Sequence, residues 1–104
     1  MISCTTRVLG VIGDPVSHTS SPAMHNAALK ALGLDYVYVA FHVAPDALPQ
    51  ALAGMRALEL AGLNVTVPHK QAVMAHLDEI SPEAQAIGAV NTVCNRDGKL
   101  LGFN

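Results

Sequence analysis

The sequence predicts an α/β domain built on a mostly parallel, three-layer α/β/α sheet that ends in an antiparallel hairpin. Three observations predict it. Short apolar runs rich in β-branched residues, at 7–13, 35–43 and 63–67, alternate with stretches of helical periodicity. Gly, Pro and Ser punctuate the boundaries between them. Near the end, Asp97-Gly98 sits between two short strand-like runs, a strong type I′ hairpin signal.

The elements follow in order. RVLGVIG (7–13) reads as a strand stopped by the turn Gly13-Asp14-Pro15. Ser21-Pro22 opens a helix, with Ser21 expected as N-cap and Pro22 at the first helical position, where a missing N–H costs nothing. Met24, Ala28, Ala31 and Leu32 are expected to face inward, and Gly33 to end the helix. DYVYVAFHV (35–43) is apolar on both faces, as a central parallel strand should be. Pro45 and Asp46 begin a second helix with Leu48, Leu52 and Met55 inward, closing near Gly62.

After the strand Leu63 to Val67, HKQAVMAHLDEI places Val73, Leu77 and Ile80 at helical spacing. SPEAQAIG (81–88) reads as another short helix capped by Ser81. NTVCNRDGKLLGF is the hairpin. No internal repeat, low-complexity tract or linker interrupts residues 1–104, which are read as one domain.

Composition narrows the function classes. Hydrophobic residues make up 51% of the chain and charged residues 13%, about half the globular average of roughly 25%. Such a chain either buries much of itself or keeps apolar surface for a partner. A net charge of −2 with six Lys+Arg argues against nucleic acid. Cys4 and Cys94 form no CxxC or ligand-spaced group and read as buried or incidental thiols in a reducing compartment. The apolar run before Asp14 and Pro15 is too short for a signal peptide or membrane span, so the expected location is cytoplasmic, with no membrane partner.

Two features carry chemistry. The turn GDPVSHTSSPAMHN packs Ser17, Thr19, Ser20 and Ser21 just before a helix. A helix N-terminus offers unpaired N–H groups and a partial positive charge, and hydroxyls there add donors suited to a carboxylate or phosphate. Simple capping would need only one of them. The second feature is LNVTVPHK (63–70), in which Lys70 follows the carboxyl end of a strand, where ligands sit in open α/β sheets. A surface lysine at a helix start is the plain alternative. Together, a hydroxyl-lined anion site beside a lysine suits a small hydroxylated acid.

These residues carry a resemblance. GDPVSHTSSPAMHNAAL resembles the entry motif G-[ND]-P-[IV]-x-H-S-x-S-P of the shikimate dehydrogenases; NVTVPHK resembles that family's N-V-T-[VI]-P-[FHY]-K, and GAVNT (88–92) its G-A-V-N-T. The three motifs fall in order and cover essentially the whole chain. The resemblance implies a substrate-binding domain followed, in the family, by a Rossmann domain that binds NADP. It implies that Thr19 and Ser21 hold the substrate carboxylate, that Thr66 and Asn91 hydrogen-bond the ring hydroxyls, and that Lys70 is catalytic. Thr19 stands where the family usually has Ser, which keeps the hydroxyl but restricts its rotamer. The family pattern G-x-N-T-D reaches only its asparagine, Asn104, so the aspartate that partners the lysine is not among these residues.

The implied reaction is the reversible, NADP-dependent reduction of 3-dehydroshikimate to shikimate. Hydride delivery to a ketone creates an alkoxide, which needs a proton from a fixed group. Lysine serves poorly at its free pKa of about 10.4, but desolvation lowers it, and Lys70 is expected in a cleft with Asn91 nearby. The 104 residues are not expected to do this alone. Gly10 and Gly13 lack the third glycine of G-x-G-x-x-G and run into Asp14-Pro15, so they read as strand packing and turn, and no NADP binding by this chain is expected. The chain reads as one domain of a two-domain enzyme, with a C-terminal NADP-binding domain as partner; a homodimer is left open.

Other constellations are weaker. His18, His25, His42, His69 and His76 show no metal-ligand spacing and no HExxH, and read as surface or structural histidines. Asp78, Glu79 and Glu83 read as a solvated acidic face, and no serine sits in a G-x-S-x-G elbow. The competing reading is a stand-alone, non-catalytic module that binds a small polyhydroxy carboxylic acid.

Overall fold

The computed structural model describes residues 1–104. Six strands form one sheet: β1 (Arg7–Gly13), β2 (Tyr36–His42), β3 (Gly62–Val65), β4 (Glu79–Ile80), β5 (Thr92–Arg96) and β6 (Lys99–Phe103). Their order in the sheet is β2-β1-β3-β5-β6-β4. The pairs β1–β2, β1–β3 and β4–β6 are parallel, whereas β3–β5 and β5–β6 are antiparallel. The expected α/β architecture with a terminal antiparallel hairpin is therefore present. At the hairpin turn Asp97 and Gly98 have φ of 53° and 90°, the positive values a type I′ turn requires.

Period-2 alternation divides the side chains between two layers. On one face Ile12, Leu63, Val65, Val93 and Leu100 pack under α2 (Leu48–Ala57) and α3 (Pro82–Ile87), with Leu48, Leu52, Met55 and Ala84 buried against them. The inward set expected for the second helix is the observed one. Ser81 caps α3, its hydroxyl accepting from the Ala84 N–H at 3.2 Å. The other face carries α1 (Ser21–Leu32).

Helix α1 docks differently from expectation. Met24, Ala28, Ala31 and Leu32 all face solvent, with Met24 64% and Leu32 71% exposed. The half-buried stripe is Pro22, Asn26 and Leu29. The helix is held by polar and aromatic contacts that an apolar count misses. Asn26 donates its Nδ2 to the Tyr38 carbonyl at 2.8 Å and accepts from the Tyr38 N–H at 2.9 Å. His25 stacks on the Tyr38 ring with centroids 4.3 Å apart.

The same contacts explain why β2 reads as central yet lies at the sheet edge. Asn26 acts as a partial extra strand, pairing backbone groups that would otherwise be open. Phe41 meanwhile packs against the core and fills the space above Gly10. Both faces are covered, although one edge is free.

The helix expected from HKQAVMAHLDEI is replaced by a 3-10 segment, Ala72–His76, and the short strand β4. Val73 is buried and Leu77 and Ile80 pack on the core, so the inward residues are as expected while the backbone is not. Pairing with β6 wins. Asp78 and Ser81 donate their N–H groups to Leu100 and Gly102, and the Asp78 carboxylate accepts from the Leu100 N–H at 2.7 Å. So short a helix would be marginal without such tertiary support.

Candidate functional site

The carboxyl ends of β1 and β3 lie side by side, and the chain leaves both towards the same end of the sheet. The Thr66 N–H donates to the Ile12 carbonyl and the Asp14 N–H to the Val67 carbonyl, each at 3.0 Å, which ties the two exit loops together. Gly13 is required here: a Cβ would collide with the Thr66 methyl. A third loop joins through Val65, whose N–H donates to the Asn91 carbonyl, and through Val90, whose N–H donates to the Lys70 carbonyl, both at 2.8 Å.

These ties form a cleft of about 430 Å3. Thr19, Ser21, Thr66, Lys70 and Asn91 all line it, so the five residues singled out from the sequence meet in one place. Its volume falls in the usual range for small-molecule sites, roughly 300–1,000 Å3. Val11, Val16 and Val65 supply an apolar floor and wall. Thr19, Ser21 and Thr66 contribute hydroxyls, Asn64 and Asn91 contribute amides, and Lys70 is the cation.

Two details differ from the sequence reading. Ser21 is the first residue of α1 rather than its cap, and Ser20, in the cap position, makes no side-chain cap bond. Thr19 does the local work instead, its Oγ1 accepting from the Ser21 N–H at 3.2 Å. The Ser21 hydroxyl is thus free of capping. Lys70, in turn, is exposed and makes no ion pair, so this domain alone does not bury its side chain.

Several residues that shape the cleft escaped sequence reasoning. Tyr38 is 4% exposed and donates its hydroxyl to Asn64 Oδ1 at 2.7 Å. Burial pushes the Tyr38 hydroxyl above the ordinary tyrosine range, against an opposing pull from the neighbouring Ser21 hydroxyl. His69, beside Lys70, is buried with its Nε2 against the Val43 carbonyl. Asn64 carried a signal, being a polar residue inside an otherwise apolar strand. Tyr38 and His69 carried none, because an aromatic in an apolar strand and a lone histidine both read as packing.

The remaining features have structural uses. His42 pairs with Asp14 at 2.8 Å; Asp78, Glu79 and Glu83 are exposed as expected of a solvated face, with Asp78 paired to Arg56 and Glu79 to Lys99. Both cysteines are exposed and free, so of the two readings, buried or incidental thiols, the buried one does not hold. No group of three His, Cys, Asp or Glu side chains could hold a metal ion. No helix is long and apolar enough to cross a membrane.

The glycines of β1 do not fit a dinucleotide. Gly10 is packed under Phe41, where a Cβ would meet the ring at 2.6 Å, and Gly13 under Thr66. Neither leaves the open backbone that a pyrophosphate needs.

A hydroxyl- and amide-lined cleft at the carboxyl ends of parallel strands, with one lysine and no dinucleotide loop, defines a small-molecule-binding α/β domain. Residues 11–93 match the family described as the shikimate dehydrogenase substrate binding domain. The chain belongs to that family. It is 57% identical over 98 residues to the NADP-dependent shikimate dehydrogenase of Symbiobacterium thermophilum, covering 94% of this chain and 33% of the relative. A crystal structure of shikimate dehydrogenase in complex with NADP+ superposes with a TM-score of 0.98 at 55% identity, over 100% of this chain and 36% of that one. The enzyme of Listeria monocytogenes, in complex with shikimate and NAD, superposes at 0.95 with 47% identity, over 98% and 35% of the two chains. The chain therefore spans about a third of the length of the relatives it matches.

Proposed function

We propose that these residues are the substrate-binding half of an NADP-dependent shikimate dehydrogenase that interconverts 3-dehydroshikimate and shikimate in the cytoplasm. One observation carries the reading: Thr19, Ser21, Thr66, Lys70 and Asn91, drawn from three separate loops, converge on one cleft. The close similarity to shikimate dehydrogenases supports it over a stand-alone binding module.

Each side chain then has a task. The Thr19 and Ser21 hydroxyls donate to the substrate carboxylate at the N-terminus of α1, where the helix dipole favours negative charge. Thr66 and Asn91 hold ring oxygens on the opposite wall. Lys70 gives a proton to the oxygen that becomes the alcohol when hydride reaches the ketone carbon, and in reverse takes the hydroxyl proton as hydride leaves. NADP, named with the relatives, would supply the hydride from a C-terminal domain. Packing of that domain on the cleft would remove Lys70 from water.

The test is turnover by the complete natural protein that carries this chain. Shikimate should drive NADP+ reduction, and 3-dehydroshikimate NADPH oxidation. No shikimate-dependent change in NADPH absorbance, with the protein folded, would overturn the reading.

A further inference from the structure

A chain of hydroxyls and carboxamides passes the placement of one group on to the next, provided that one end is held. Such a chain runs beneath the cleft. Tyr38 Oη lies 2.7 Å from Asn64 Oδ1, Asn64 Nδ2 lies 3.4 Å from Thr92 Oγ1, and Thr92 Oγ1 lies 3.0 Å from Asn91 Oδ1. We propose that Tyr38 is a positioning residue that anchors this chain and so holds the Asn91 carboxamide in place for the bound substrate. The inference rests on the function proposed above.

Tyr38 is built to hold an end. Asn26 clamps its backbone from both sides, His25 stacks on its ring, and the side chain is almost wholly buried. The hydroxyl cannot swing away, and burial keeps it protonated. Its proton goes to Asn64 Oδ1, which leaves Asn64 only its Nδ2 to turn to Thr92. Thr92, accepting from Asn64, spends its own proton on Asn91 Oδ1. Asn91, which lines the cleft, is thus held at its Oδ1 by Thr92, while its Nδ2 contacts Asn104 Oδ1 at 3.4 Å.

The experiment is calorimetric titration of the complete natural protein with two ligands. Shikimate carries both the carboxylate and the ring hydroxyls; cyclohex-1-ene-1-carboxylate carries the carboxylate alone. Tyr38→Phe and Thr92→Val break the chain at different links while keeping side-chain shape. Each should weaken shikimate roughly three- to tenfold, the worth of one neutral hydrogen bond, and leave cyclohexenecarboxylate unchanged. Tyr38→Phe combined with Asn91→Ala should bind shikimate no worse than Asn91→Ala alone, because both act through one amide. Equal losses for the two ligands, additive losses in the double variant, or unchanged shikimate affinity in Tyr38→Phe would each overturn the inference and leave the proposed function standing. If cyclohexenecarboxylate binds too weakly to titrate, the double-variant comparison decides. Wild-type protein that does not bind shikimate would overturn both.

Discussion

The Nε2 of His69 lies 2.6 Å from the carbonyl oxygen of Val43, and both residues are buried. A carbonyl can only accept, so the imidazole carries its proton on Nε2. The bond ties the loop after β3 to the end of β2, across β1. It sits one residue before Lys70, so it holds the backbone from which the lysine projects. His69→Leu should leave the carbonyl without a partner and destabilise the fold by roughly 1–3 kcal/mol. Urea denaturation measures this, and a loss below about 0.5 kcal/mol would show that the bond holds nothing in place.

Ser21→Ala probes the carboxylate site cleanly. Ser21 does not cap α1, so stability should change by no more than about 0.5 kcal/mol. Shikimate affinity should fall by roughly 1.5–3 kcal/mol, the worth of a hydrogen bond to a charged group. Thr19→Val is the compromised variant, because it also removes the acceptor for the Ser21 N–H. Thermal melts and ligand titration on the same Ser21→Ala sample separate the two effects. Unchanged affinity would remove Ser21 from the site.

Asp78 contributes to the acid side of stability, as does Asp35, whose carboxyl the Thr5 and Thr6 hydroxyls hold down. The Asp78 carboxylate accepts from Arg56 and from the Leu100 N–H, which hold it below its ordinary value of 3.8. Between that lowered value and 3.8 the unfolded chain binds the extra proton, so stability rises with pH there. The contribution is complete above the unfolded value and is lost as pH falls through the folded one. Asp78→Asn should therefore be less stable than wild type at pH near 7. The gap should close as the medium is taken below about pH 4. A gap that is constant across acid titration would mean the carboxylate charge is immaterial.

What could be read from the sequence, and what could not, divides along physical lines. Strands β1, β3 and the hairpin were legible because β-branched runs and the Asp97-Gly98 turn are local signals. That Thr19, Ser21, Thr66, Lys70 and Asn91 meet in one cleft was legible through the family motifs, which lie at strand and helix ends that the topology gathers. Three features were not. The inward face of α1 was hidden because Asn26 and His25 dock it, and periodicity counts only apolar residues. The edge position of β2 was hidden because Asn26 and Phe41 cover it as a neighbour would. The missing helix at 71–80 depended on backbone pairing with β6, some twenty residues further along the chain. Each miss is a tertiary contact overriding a local pattern.

Lys70 gives the decisive kinetic test, made in the complete natural protein. As the proton-transfer group its replacement, Lys70→Ala, should lower kcat by roughly 10²–10⁴-fold, the usual worth of a general acid-base residue. KM should move far less, since the carboxylate is held by Thr19 and Ser21. A parallel fall in kcat and kcat/KM marks an interaction made only in the transition state. Because Lys70 is exposed in this domain, the competing role is a charge that attracts an anionic substrate. That role makes different demands: a raised KM, a nearly normal kcat, and an effect that shrinks as salt screens the attraction. Steady-state kinetics at two ionic strengths separates them. A salt-insensitive loss of kcat assigns the proton to Lys70, whereas near-normal kcat would reduce the lysine to a guide for the substrate.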